Sequence, residues 1–190
     1  TRLIADAGYE CGLIGKFHLQ SAGRRTEPRI DDGFSFWKYS HAPRDDWPQG
    51  HDYAEWVLAR GGDLNALRAS PDRVPPEFHQ TTWASERASE FITAERAAGR
   101  PWLLNINVYD PHPPFIPPKV YADKFDPAQM PGPHFRESDP AQQAKLRAAD
   151  FQNDRESPVR IEPKTAQALY YAMIAQVDDQ FARILRTLEE

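Results

Sequence analysis

Two short apolar runs, each breaking into a polar segment marked by glycine or proline, constrain this chain more than any other feature. The first is Cys11 to Ile14, with Gly8 before it and Gly15-Lys16-Phe17-His18-Leu19 after it. The second is Trp102 to Val108, followed by Asp110-Pro111-His112-Pro113-Pro114-Phe115-Ile116-Pro117-Pro118. Runs this short, closed by turn residues, read as buried strands near 10–14 and 102–108. Between them, Trp83, Ala84, Ala88, Phe91 and Ile92 make one stripe, predicting a helix over 82–98 that Gly99 ends. Strand, long connection with a helix, strand is the pattern of a parallel crossover. The expectation is an α/β fold: a central, mostly parallel sheet holding both strands, flanked by helices, with long loops. A last helix is expected over 163–189, apolar at Leu169, Met173, Val177, Phe181, Ile184, Leu185 and Leu188, with Pro163 in its first turn.

The residues that leave the two strands carry the chemistry. Lys16 and His18 alternate, so an extended backbone points both to one side. In open α/β sheets, ligands bind beyond the carboxyl ends of strands, which is where these two would stand. An ammonium beside an imidazole can hold an anionic oxygen and move a proton near neutral pH. A surface lysine and a half-buried histidine after a strand would leave the same pattern. His112 follows the second strand on a loop that its prolines stiffen and bar from helix. Asp110 could orient it or could cap the turn.

Residues 20–80 and 116–162 read as loop-rich segments shaping a substrate pocket. Within the first, Phe34, Phe36, Trp37, Tyr39, Trp47, Tyr53 and Trp56 are interleaved with His41, His51, Arg44, Asp45 and Asp46. Aromatic faces among polar groups suit a sugar or an aryl ring, which makes Trp37 and His51 candidate substrate contacts alongside Lys16, Asp110 and His112. A loop pinned down by its own aromatics has the same composition.

Composition narrows the class. The chain has 190 residues, 40% hydrophobic and 27% charged, enough for one domain. A net charge of −5 argues against a nucleic-acid surface. No apolar run approaches the ~18 residues of a membrane span. The single cysteine excludes an internal disulfide and leaves the compartment open between periplasm, outside and cytoplasm.

Gly8-Tyr9-Glu10-Cys11-Gly12-Leu13-Ile14-Gly15-Lys16-Phe17-His18-Leu19 resembles the sulfatase signature Gly-Tyr-x-Thr-x-x-x-Gly-Lys-x-His-Leu, with Cys11 in place of the usual Thr and Phe17 in place of the common Trp. Asp110 to Phe115 resembles a second feature of that family, and Tyr170 to Gln180 resembles the helix before its last catalytic loop. The chain is thus similar to type I sulfatases of the alkaline-phosphatase-like superfamily. The resemblance implies hydrolysis of sulfate monoesters, carbohydrate or aryl, through a formylglycine nucleophile and a divalent cation, usually Ca²⁺. It implies that Lys16 contacts the sulfate, that His18 acts as base in releasing it, and that His112 contacts it and helps to protonate the leaving oxygen.

Two parts of the family pattern, the nucleophile motif in its Cys/Ser-x-Pro-x-Arg form and the paired acidic metal ligands, have no counterpart in these residues. Cys11 is not followed by Pro and Arg at that spacing, and Ser70-Pro71-Asp72-Arg73 and Ser157-Pro158-Val159-Arg160 place proline one position early. Residues 1–190 are therefore expected to be the central portion of one sulfatase catalytic domain, an internal fragment inactive alone, with nucleophile and Ca²⁺ ligands outside it. The alternatives are a phosphonate monoester or phosphodiester hydrolase of the same superfamily, and a non-catalytic anion-binding protein.

Overall fold

The computed structural model describes residues 1–17, 32–43, 51–70, 73–97, 99–134, 136–149 and 161–190. In chain order the elements are α1 (Arg2–Asp6), β1 (Glu10–Gly15), β2 (Phe36–Tyr39), α2 (Asp52–Ala59), α3 (Leu64–Ala69), α4 (Gln80–Thr93), β3 (Trp102–Asn107), α5 (Lys119–Ala122), α6 (Asp139–Ala149) and α7 (Pro163–Glu189). The three strands form one sheet in the order β2–β1–β3. Both pairings are parallel, with Leu13 opposite Trp37 on one side and Asn105 on the other. The two expected strands are thus neighbours in one parallel sheet, and α4 sits in the crossover between them. Parallel strands need such a crossover, and it places a helix on a sheet face.

The central strand is apolar because both of its faces are covered: Cys11 to Gly15 are all buried. On one face Ile14 joins Tyr53, Trp56 and Val57 of α2, Leu64 of α3, Trp83, Ala84 and Ala88 of α4, and Ile184 of α7. Gly12 lies on the same side, where an added Cβ would stand 2.8 Å from both the Leu104 methyl and the Phe91 ring. On the other face Leu13 meets Trp37 and Tyr39, with Phe17 and Phe34 packed against them. Helices cover the first face. The second is closed by a knot of aromatic rings, with Phe17 and Trp37 centroids 5.2 Å apart.

Three details differ from the sequence reading. The helix expected over 82–98 is shorter at its end, closing at Thr93. Arg96 rather than Gly99 closes it: the guanidinium donates to the carbonyls of Phe91, Ile92 and Ala94, and its Nε donates to Glu10 Oε2 at 2.9 Å. That side chain satisfies the last carbonyls and ties them to the start of β1. The segment 20–80, read as loop, contains β2, α2 and α3. Four residues with Lys38 among aromatics are too short a run to announce a strand, and β2 is defined by its pairing on β1. The segment 116–162, also read as loop-rich, contains α5 and α6, and its residues 150–160 lie outside the described residues. Among the described residues no helix is long and apolar enough to cross a membrane.

Candidate functional site

The backbone of Lys16 is held by the strand next to it. Its N–H donates to Asn107 O at 3.1 Å, and the Asn107 side-chain amide donates to Lys16 O at 3.0 Å. The approach is tight because Gly15 precedes it at φ +95°, where a Cβ would lie 2.0 Å from Asn107 O. Only glycine takes that conformation at that distance without moving one of the strands. Lys16 therefore leaves the carboxyl end of β1 in a fixed direction, and its Nζ stands over the ring of Tyr109 at 5.7 Å from the centroid.

Tyr109 is also the neighbour of His112. The two rings lie 4.7 Å apart between centroids at 46°, and the His112 N–H donates to Tyr109 O at 3.0 Å to close the turn. Pro113 O accepts the Tyr109 hydroxyl at 2.5 Å and lies 2.6 Å from His112 Nδ1. A carbonyl only accepts, so Nδ1 carries the ring hydrogen. That leaves Nε2 on the outer side of an exposed imidazole, able to accept a proton when the ring is neutral and to donate one when it is charged.

A buried polar layer beneath anchors the loop. Asp110 is 7% exposed and accepts the Thr81 hydroxyl at 2.7 Å, at the first turn of α4. Asp110 is thus turned inward, and His112 takes its orientation from Pro113 and Tyr109. His79 caps α4, its Nδ1 accepting the Thr81 N–H at 3.3 Å while Nε2 donates to Ile116 O at 3.1 Å. His79 Nδ1 is 3.7 Å from Asp110 Oδ2. That is no ion pair, since Nδ1 has no hydrogen to give in this arrangement. Burial pushes the His79 pKa down, against the opposing pull of Asp110 and the Ile116 carbonyl, so the ring is neutral. Arg73, with φ 62°, donates to Phe115 O at 3.1 Å and fixes the outgoing limb.

Of the residues singled out from sequence, Lys16 and His112 meet around Tyr109. His18 lies outside the described residues. Trp37 is 8% exposed in the aromatic knot, one ring away from Lys16 through Phe17. His51 is 4% exposed and caps α2, its Nδ1 accepting the Ala54 N–H at 3.3 Å. Cys11 is fully buried in β1, and burial pushes its thiol pKa up, the opposite of what a nucleophile needs. Sequence reasoning missed Asn107, Tyr109, Thr81 and His79. A signal existed for the first two: they alternate along the end of β3 as Lys16 and His18 alternate after β1.

No set of three or more His, Cys, Asp or Glu side chains among the described residues gathers closely enough to hold a metal ion. The described residues do not fit a Ca²⁺ site.

The parallel sheet flanked by helices makes an α/β fold, with a lysine and a histidine just past the strand ends. The family model "Sulfatase" matches residues 1–190, and the chain belongs to that family. It is 24% identical over 202 residues to an arylsulfatase of Clostridium perfringens (strain 13 / Type A), covering 98% of this chain and 42% of that protein. It is 28% identical over 229 residues to the multifunctional alkaline phosphatase superfamily protein PehA of Trinickia caryophylli, covering 100% of this chain and 43% of that one. The crystal structure of the phosphonate monoester hydrolase of Agrobacterium radiobacter superposes with a TM-score of 0.70 at 21% identity, over 98% of this chain and 42% of its own. The chain therefore spans well under half the length of these relatives.

Proposed function

We propose that these residues form the anion-gripping part of an enzyme that hydrolyses sulfate monoesters, with a sulfated carbohydrate or an aryl sulfate as substrate. The observation that carries this reading is the placement of Lys16 and His112 against one aromatic ring at the carboxyl end of the sheet. An ammonium there neutralises charge on a sulfate oxygen, and a hydrogen bond to a charged donor is about twice as strong as a neutral one. His112, with Nδ1 engaged by Pro113 O, presents Nε2 to the leaving oxygen and protonates it as the ester bond breaks. His18 completes the grip as base in sulfate release. Trp37, His51 and Asp110 stand as supports of the pocket rather than as its inner surface. A formylglycine nucleophile would come from outside these 190 residues, where no Cys/Ser-x-Pro-x-Arg run occurs, and so would the ligands of a Ca²⁺ ion that neutralises charge on the sulfate.

A second reading, hydrolysis of phosphonate monoesters or phosphodiesters, stays within the alkaline phosphatase superfamily that the name of PehA, 28% identical, also carries. Sulfate monoesters and phosphonate monoesters are both tetrahedral monoanions and differ in the groups on the central atom, free oxygen on sulfur standing where phosphorus bears carbon. Competition of sulfate against phenylphosphonate for the purified chain separates the two, the first reading requiring sulfate to win. The chain assayed with an activated aryl sulfate, with and without Ca²⁺, is expected to show no turnover. Metal-dependent turnover lost in Lys16→Ala would contradict an external nucleophile.

A further inference from the structure

We infer that Tyr109 is a positioning residue of the anion grip: its ring sets the spacing of Lys16 and His112, and its hydroxyl helps to fix which imidazole nitrogen meets the substrate. This deepens the reading above and rests on it.

Tyr109 is 9% exposed and lies two residues past the end of β3, whose last residue, Asn107, is tied to Lys16. Three groups converge on it. The Lys16 ammonium faces the ring at 5.7 Å, the His112 ring packs at 4.7 Å, and the hydroxyl donates to Pro113 O at 2.5 Å. That carbonyl also lies 2.6 Å from His112 Nδ1. A carbonyl oxygen has two lone pairs, so it accepts from the phenol and the imidazole together. The phenol thereby holds the carbonyl in the place where it selects the Nδ1–H tautomer. With Nδ1–H held there, Nε2 is the nitrogen that faces the substrate, and in the charged ring it carries the proton that passes to the leaving oxygen; without that hold the ring would turn and present either nitrogen.

The ring does the complementary task for Lys16. A flexible ammonium stem has many rotamers, and attraction to an aromatic face restricts them. At 5.7 Å from the centroid the attraction is weak, so an arriving anion can draw the ammonium off the ring. The far end of the same segment fixes the Lys16 backbone through Asn107. Residues 107–113 therefore act as a gauge spanning both cations. A tyrosine that merely filled space would affect folding and nothing else.

The test uses the purified chain, with sulfate as the probe, and the variants Tyr109→Phe and Tyr109→Leu. Nitrogen NMR of the imidazole reads the His112 tautomer in each protein without any ligand. A sulfate titration reads affinity, and thermal melting reads stability. Tyr109→Leu is expected to weaken sulfate roughly tenfold and to turn the Nδ1–H form into a mixture. Tyr109→Phe keeps the ring, so about a two- to threefold loss is expected together with a partial tautomer shift. Wild-type affinity and wild-type tautomer in Tyr109→Leu would overturn the proposal. So would affinity that falls only in step with melting temperature while the tautomer stays fixed. If the wild-type chain binds no sulfate, the anion-grip reading fails, and the positioning role then stands or falls on the tautomer alone.

Discussion

The body of the sheet and its carboxyl rim are held together by different forces. In the body, Ile14 and Leu13 are fully buried between helices on one side and aromatic rings on the other. Burial of that kind is non-directional and tolerates small shifts. At the rim, Lys16 is placed by two hydrogen bonds with Asn107, His112 by the carbonyls of Tyr109 and Pro113, and both by one shared ring. Directional contacts fix geometry but contribute little net stability, about 0.5–1.5 kcal/mol each. Damage to the body should therefore unfold the chain, whereas damage to the rim should spoil the grip in a chain that still folds.

The largest effect belongs to the body. Trp83→Ala removes a side chain 1% exposed that packs between α2 and the sheet, and is expected to cost about 3–5 kcal/mol in denaturant unfolding. Stability near the low end of the usual range would then be lost outright. Two glycines next separate the regions. Gly15→Ala forces a Cβ to within 2.0 Å of a backbone oxygen at φ +95°. It is expected to cost about 2–4 kcal/mol and to abolish sulfate binding, because the strand end carrying Lys16 must move. Gly12→Ala meets only side-chain atoms, at 2.8 Å, and is expected to cost about 1–3 kcal/mol with sulfate affinity unchanged in the folded fraction. Equal loss of sulfate binding in both variants would erase the distinction between body and rim.

A smaller effect tests the layer that joins the two regions. Thr81→Val removes the hydroxyl that Asp110 accepts and leaves a buried carboxylate short of a partner, for about 1.5–3 kcal/mol in thermal melts. The smallest effect is a pH dependence. Burial holds the folded pKa of His79 below the ordinary 6.5, so below that pH the unfolded chain takes up a proton that the folded chain resists. Stability should be fully present above about pH 6.5 and decline as pH falls beneath it. His79→Asn keeps a cap oxygen for α4 and should flatten that decline. An unchanged slope would show that other groups set it.

Much of the body was legible in the sequence. The two apolar runs could be strands because they are short and closed by turn residues, and α7 could be read from its apolar steps because a long helix repeats its signal. The end of α4 was not legible, since a guanidinium reaching back from Arg96 leaves no mark in periodicity. β2 was not legible either, because Trp37 and Tyr39 look the same in a pocket loop as on a buried strand face. At the rim, Lys16 and His112 stood out as cations at strand ends within family-like motifs. Asn107 and Tyr109 did not. Their roles depend on the register that sets Gly15 opposite Asn107, and register comes from pairing two segments roughly ninety residues apart.

The central claim is that Lys16 and His112 serve one bound anion. The direct measurement is a sulfate titration of the chain followed by NMR at the Lys16 and His112 side chains, repeated in Lys16→Ala and His112→Ala at constant ionic strength. Both side chains should respond with one common affinity, each single variant should weaken it about tenfold or more, and the double variant should lose less than the sum of the two. Different affinities at the two side chains, or strictly additive losses, would contradict a shared site.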